Sequence, residues 1–236
     1  MTIPCHNDAE FLEKAVKSVE EIVSKIDNDY LILIAEDGSN DNSEEIAHQL
    51  ASSNKKIMHL HSKIKLGRGK AVMKSWEPIQ AVVYTYVDCD LATDMKYFPE
   101  LIENILKGYD LSTGSRYQEG AICKRPIIRE VFSKMYNFLI RIIFKSSVLD
   151  HQCGFKAFSR KFMEHLQKKY TFNGWFWDTE AIILAMRSDY KIKEFPIIWE
   201  EKKGKRTPLK RLGKDVLIHG KGIIKLYSRY KLKENS

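Results

Sequence analysis

Over its first 115 residues the chain alternates short apolar runs with stretches of helical periodicity, and few folds accept that alternation. "YLILIAE" (30–36), "IMHLH" (57–61), "VVYTYV" (82–87) and "DLSTGS" (110–115) read as strands. "AEFLEKAVKSVEEIVSKI" (9–26), "SEEIAHQLASS" (43–53), "KAVMKSWEPI" (70–79) and "YFPELIENIL" (97–106) read as helices. Asp8 and Asn42 or Ser43 stand where two of those helices need a cap. Strands separated by helices predict an α/β fold, with a mostly parallel central sheet covered by helices on both faces. In such a sheet ligands bind at the carboxyl ends of the strands. The opening "MTIPCHND" leaves only about three residues for a first strand, so the natural chain is expected to begin a few residues upstream.

After residue 115 the pattern changes. "RPIIREVFSKMYNFLIRIIFK" (125–145) reads as one long helix. With Arg129 set at 0° and 100° per residue, every polar residue of that helix falls within an arc of about 160°. The wide remaining arc is Ile, Val, Phe, Met, Tyr and Leu. Two placements suit it: a core helix lying on the sheet, or an interfacial helix with its apolar face in a membrane. "GFKAFS" (154–159) and "KIKEFPIIWEE" (191–201) read as strands, and 159–168, 178–188 and roughly 214–229 as helices.

Charge and cysteines bound the partners. Lys plus Arg is 39 against 31 for Asp plus Glu, a net charge of +8. Seven basic residues fall between Lys202 and Lys214. Such a cluster attracts phosphate from nucleic acid, anionic lipid or a diphosphate ligand, or is simply a solvated loop. Cys5, Cys89, Cys123 and Cys153 have no zinc-type spacing, which fits a reduced, cytoplasmic setting. No stretch reads as a membrane span or a secretion leader.

Two carboxylate groups stand where the sheet would bind a ligand. In "EDGSNDNS" (36–43), Glu36 and Asp37 end a strand before a tight turn. A carboxylate there can accept from ribose hydroxyls or a base N–H. Turn and cap chemistry alone explains Asp41 and Asn42. In "VVYTYVDCDLATD" (82–94), Asp88 and Asp90 follow a strand fit for burial. Their spacing in an extended chain points both carboxylates to one side. Like charges so placed are costly without a cation, and a hard divalent ion takes one or two carboxylates plus ligand phosphates. Cys89 is expected to pack inward, and Asp94 to cap the helix at 97–106. "KLGRGKAV" (65–72) fails two phosphate-loop patterns, because Ile64 and Val72 stand where glycine or a small residue is required. A turn with basic side chains at a helix N-terminus remains, where an anion could bind.

"IPCHNDAEFL" (3–12), "EDGSNDNS", "KLGRGKAV", "DCD", "TGSRY" (113–117), "LDHQCGFKAF" (149–158), "WFWDTEAI" (175–182) and "IIWEEKKGKRT" (197–207) occur in that order over nearly the whole chain. Together they resemble the family 2 glycosyltransferases, which have the GT-A fold. "DLAT" (90–93), "QCGFK" (152–156) and "RLGKDVL" (211–217) look most like the dolichyl-phosphate β-glucosyltransferases, which use UDP-glucose. The dolichyl-phosphate mannose synthases, which use GDP-mannose, match somewhat less well. The chain departs from the pattern with Glu36 where Asp is usual, a clipped first strand, and "GKRT" (204–207) where Gly-Ser-Lys is common.

The resemblance implies an inverting, in-line transfer of a hexose from a nucleotide-sugar to a polyprenyl phosphate. It implies Mg²⁺ or Mn²⁺ on Asp88 and Asp90. It implies donor contacts from Pro4, Asn7, Glu36, Asp37, Lys70, Asp88, Gln152, Lys202 and Lys205. It implies an acceptor-phosphate site at Arg116, Arg129 and Ser133. Periodicity independently puts Arg129 and Ser133 side by side on the polar arc. Asp178 and Glu180 either cap a helix or join the catalytic set, and Trp175 and Trp177 either stack on ligand or fill the core. Residues 1–120 would form the donor half of a single domain, and 121–236 the lipid-side half, peripherally held on the cytoplasmic membrane face. A transferase to a soluble glycan is a rival, with Asp178 as its base. A nucleic-acid or anionic-membrane binding protein is another, but it has no use for carboxylates clustered at strand tips, so no nucleic-acid partner is expected.

Overall fold

The computed structural model describes residues 1–202 and 209–234, except for the side chains of 209–216 and 232–234. Among the described residues, seven strands form one sheet in the order β3-β2-β1-β4-β7-β5-β8. They are β1 (Thr2–Cys5), β2 (Ile32–Asp37), β3 (Ile57–Ser62), β4 (Val83–Val87), β5 (Leu111–Ser115), β7 (Phe155–Ser159) and β8 (Ile192–Pro196). A two-stranded parallel sheet pairs β6 (Ile122–Lys124) with β9 (Ile198–Glu200). The helices are α1 (Ala9–Ile26), α2 (Ser43–Ser53), α3 (Arg68–Trp76), α4 (Phe98–Leu106), α5 (Ile127–Phe144), α6 (Arg160–Lys169), α7 (Trp177–Arg187) and α8 (Leu209–Glu234).

The period-2 pattern of the strands builds two cores. Ile3, Cys5, Ile32, Ile34 and Val87 face α1 and α4. Leu33, Tyr84 and Tyr86 face α3, α6 and α7. Strands β3, β2, β1 and β4 are parallel, as expected, but β7 runs antiparallel between β4 and β5. An apolar strand carries no mark of its direction, so this reversal lies outside what the sequence can say. Its effect is to start β7 beside the end of β4, with Phe155 opposite Val87. The expected strand over 191–201 divides at Ile197, because β8 belongs to the large sheet and β9 to the small one.

Helix α5 is only partly buried. Its buried residues are Ser133, Asn137, Ile140 and Phe144. Ile127, Ile128, Val131, Met135, Phe138, Leu139 and Ile142 are exposed, Ile127 at 79%. One line of the helix, Ser133 and Asn137 continued by Ile140 and Phe144, faces the protein, and much of the apolar arc faces outward. Asn137 holds that orientation, its Oδ1 accepting from the His151 backbone N–H at 2.9 Å and from His151 Nδ1 at 3.0 Å. Ser146 Oγ reaches the other ring nitrogen at 2.8 Å. Helix α8 packs on α5 through Leu226, Ile140 and Phe144, and exposes Leu217, Ile218, Ile224 and Tyr227. Among the described residues, no helix is long and apolar enough to cross a membrane.

Candidate active site

The acidic turns at the tips of β2 and β4 form one side of the site. The Asp37 carboxylate accepts from the backbone N–H of Leu66 (2.5 Å) and Gly67 (2.9 Å), which ties the 65–69 turn to the sheet. Gly67 has φ +96° and a Cβ there would lie 2.8 Å from the Asn173 carbonyl oxygen, so only glycine fits. Asn7, exposed and at φ 56°, braces the next turn by accepting from the Asn40 N–H at 2.7 Å. Pro4 is buried within β1. Glu36 corrects an expectation: it is 2% exposed, and both oxygens serve its surroundings. One accepts from the Ser39 N–H at 2.5 Å and the other meets His61 Nδ1 at 2.6 Å. Burial pushes the Glu36 carboxyl up, and these partners outweigh it, so it titrates below the ordinary range.

Asp88 and Asp90 lie just beyond β4, which ends at Val87. The extended geometry expected for the pair is replaced by a turn, closed by the Leu91 N–H on the Asp88 carbonyl at 3.0 Å. Leu91 takes φ 48°. Cys89 is 2% exposed in the core, and Asp94 accepts from the Lys96 N–H at 3.0 Å, capping the turn that leads into α4. The Asp88 carboxylate rests against Gly154, where an added Cβ would meet its Oδ2 at 1.9 Å. The glycine of "QCGFK" is therefore the cradle for this acid. The Asp90 Oδ1 accepts from the Ala92 N–H at 3.1 Å, and the two aspartates offer oxygen donors only, the kind that suits Mg²⁺ or Mn²⁺.

Behind this edge lies a charged cluster that sequence reasoning largely missed. Arg68 donates to Asp88 Oδ1 at 2.8 Å and to the buried Asp178. Its guanidinium lies 3.9 Å from the Trp175 ring centroid. Tyr86 also donates to Asp178, and buried Lys156 lies 3.3 Å from it. Asp178 is 0% exposed and held by three donors, so it is not placed to deprotonate a soluble acceptor. It instead fixes Arg68 against Asp88. The signals in the sequence were the Arg of "LGRGK" and the Lys of "GFK", whose partner lies 110 residues from Arg68. Trp177 packs in the core while Trp175 stays 48% exposed. Lys70, in the first turn of α3, is half-buried, its backbone N–H bonded to the Asn173 carbonyl at 2.9 Å.

Glu180 is the second correction. It is 0% exposed and accepts from the N–H groups of Thr171 and Phe172 and from Arg229 at 2.8 Å. Two residues along α7 from Asp178, it points away from the acidic edge and latches α8 to the 170–172 segment.

A basic cluster lies on the other side. Arg116 makes a buried bidentate pair with Asp150, at 2.6 and 2.8 Å. Burial raises the Asp150 carboxyl and Arg116 lowers it further, leaving it below the usual range. Arg129 is paired with Glu201, and Ser133 is buried one turn further along α5. Arg125, which sequence reasoning did not single out, completes the group. Arg116 and Arg125 lie 5.5 and 5.3 Å from the Trp199 ring centroid. Burial, then repulsion from Arg116 and Arg129, pushes Arg125 below its ordinary pKa. Its Nε and Nη1 are buried with no hydrogen-bond partner among the described residues, and the Tyr117 hydroxyl beside them faces Ser133. Buried donors normally find acceptors, so this set is built to receive one.

Strand β9 joins the two sides. Asp94 N–H bonds to the Ile198 carbonyl (2.9 Å) and Glu200 N–H to the Ala92 carbonyl (2.8 Å), while β6 pairs along the other edge. Gln152 donates to His219 of α8 at 2.6 Å. Lys202 is half-buried just past β9, and Lys205 lies outside the described residues.

The model of "Glycosyl transferase family 2" matches residues 2–167. The chain belongs to that family. It is 40% identical to the glycosyltransferase AglD of Haloferax volcanii over 230 residues, covering 96% of this chain and 36% of that protein. It thus spans about a third of the length of AglD. It is 28% identical to the dolichyl-phosphate beta-glucosyltransferase of Saccharomyces cerevisiae, covering 92% of this chain and 72% of that one. Among solved structures, glucosyl-3-phosphoglycerate synthase from Mycobacterium tuberculosis with UDP superposes with a TM-score of 0.72 at 18% identity, over 96% of this chain and 79% of that one. The same enzyme with Mn²⁺ and UDP-glucose gives 0.66 at 18% identity, over 90% and 72%. These likenesses establish the GT-A-type fold of this family 2 glycosyltransferase.

Proposed function

We propose that this chain transfers a hexose from a nucleotide-sugar, UDP-glucose by preference, to a polyprenyl phosphate at a membrane surface. The observation that carries the reading is the junction of the buried Arg125 Nε and Nη1, which have no acceptor among the described residues, with the outward apolar face of α5, which starts two residues later. A phosphate suits the first and its lipid tail suits the second. The N-terminus of α5 adds its own preference for an anion. Residues 1–120 form the donor half and 121–236 the lipid-side half, resting peripherally on the cytoplasmic membrane face. Exposed Lys134, Arg141, Lys145, Lys221 and Lys225 on α5 and α8 favour an anionic headgroup layer.

In this reading Asp37 contacts the base, and Asn7 and Lys70 line the donor side. Glu36 acts through the turn that it braces. Asp88 and Asp90 would hold Mg²⁺ or Mn²⁺, which would supply positive charge to offset that of the leaving diphosphate. Arg116, Arg125, Arg129 and Ser133 hold the acceptor phosphate, whose oxygen attacks the anomeric carbon as the diphosphate leaves. The attacking phosphate is already an anion at neutral pH, so positioning replaces a strong base. Arg68, fixed by Asp178, orients Asp88.

Purified protein given labelled UDP-glucose, divalent metal and polyprenyl phosphate is expected to yield a lipid-linked sugar, and Asp90→Asn to remove most of the transfer. Arg125→Gln is expected to raise KM for the lipid by about tenfold or more, the worth of a charge-assisted bond. The fold should weaken little, because the lost charge forms no ion pair and gives up only its contact with the Trp199 ring. Equal loss of nucleotide binding in Arg125→Gln would make the cluster structural. Transfer to a soluble sugar without lipid phosphate would overturn the acceptor.

A further inference from the structure

Strands β2 and β3 carry a second group of metal-ligating side chains, distinct from Asp88 and Asp90. Their register sets Glu36 opposite His61. His59 and His61 are two residues apart on β3, so they share a face. One ligand atom from each of Glu36, His59 and His61 lies within 4.8 Å of the others. His61 Nδ1 is 2.6 Å from Glu36 Oε2 and 3.6 Å from Glu44 Oε1. His59 Nε2 is buried with no hydrogen-bond partner among the described residues. A buried nitrogen left unmatched costs about 1–3 kcal/mol, and a bound ion accounts for it.

We propose that Glu36, His59 and His61 form a site for Zn²⁺, or a cation of like preference, at the β2–β3 edge. Two imidazole nitrogens and one carboxylate oxygen are a three-ligand zinc set that leaves a fourth position open. Mg²⁺ and Mn²⁺ favour oxygen donors and belong with Asp88 and Asp90. Metal–ligand bonds of about 2.0–2.1 Å put tetrahedral ligand atoms about 3.3 Å apart, so the three side chains would draw together around the ion. The bond from the Ser39 N–H to Glu36 Oε1, at 2.5 Å, would orient the carboxylate. Aspartate at 36 would be one methylene short of the His61 contact on the same backbone. The glutamate that departs from the family pattern thereby has a purpose.

The metal-free chain, kept in excess Mg²⁺ to fill oxygen-only sites, can be titrated with Co²⁺ as a spectroscopic stand-in. One equivalent is expected to give the visible absorption of a four-coordinate site, and Zn²⁺ to displace it and raise Tm. His59→Asn and His61→Asn are each expected to abolish the absorption and the Zn²⁺-dependent rise while the metal-free chain still unfolds cooperatively, at a lower Tm in His61→Asn because buried Glu36 loses a partner. His59→Gln, which keeps a polar atom in the buried position, is expected to give the same loss. Asp90→Asn is expected to retain both signals. An absent absorption in the unsubstituted chain, one that survives either histidine substitution, or one lost in Asp90→Asn would overturn the proposal.

Discussion

Helices α1 and α5 are each 18 residues long and both are amphipathic, yet they are set in opposite senses. Helix α1 buries Leu12, Ala15, Val16, Val19 and Val23 against the sheet. Helix α5 buries Ser133 and Asn137 and leaves Val131, Met135, Phe138 and Ile142 outside. Periodicity determines that a helix has two faces. Which face turns inward depends on what waits in the fold: His151 offers a polar partner to α5, and the α1 stripe meets Ile3, Cys5 and Ile34 of the sheet.

The contrast can be broken at several points. Leu12→Ala should cost about 2–5 kcal/mol in denaturant unfolding, the usual loss for a leucine cavity. A cost near zero would mean that α1 is not a core helix. Asn137→Ala should cost about 1–3 kcal/mol, because it leaves the two His151 donors unmatched, and hydrogen exchange should rise at the end of α5. Acid should act through the same contact. Burial lowers His151 from 6.5 to about 3, so the unfolded chain binds a proton in that window which the folded chain refuses. Stability should therefore fall as pH drops from about 6.5 to about 3, by at most about 1.4 kcal/mol per pH unit. His151→Gln should be less steep than the unsubstituted chain there. The smallest stability effect belongs to Phe138→Ala, within about 0.5 kcal/mol, because the ring is 59% exposed. The same change should weaken flotation with anionic liposomes, whereas an exposed α2 change such as Gln49→Ala should not. Unchanged flotation would remove α5 from the membrane reading.

Much of the frame was legible in the sequence. The alternation of strands and helices, the acidic tips, the inward Cys89 and the cap at Asp94 all follow from local periodicity and turn chemistry. What escaped depends on long-range partners. Arg68 looked like a loop cation until Asp88 and Asp178 closed around it. Glu180 looked catalytic because it neighbours Asp178, but two residues on a helix are about 200° apart, and it faces Thr171 and Arg229. Arg125 carried no signal beyond being one arginine among many, and its meaning lies in having no partner where it is buried.

The sequence by itself determined the element order, the strand-end position of the carboxylates and the existence of an apolar arc on α5, because each is written within a dozen or so residues. Tertiary contacts set the direction of β7, the pairing of Arg68 with Asp178 and of Arg116 with Asp150, and the outward turn of much of the α5 apolar arc. Each of those depends on contacts between residues far apart in the chain, and burial makes such contacts strong by excluding the water that would otherwise compete for them.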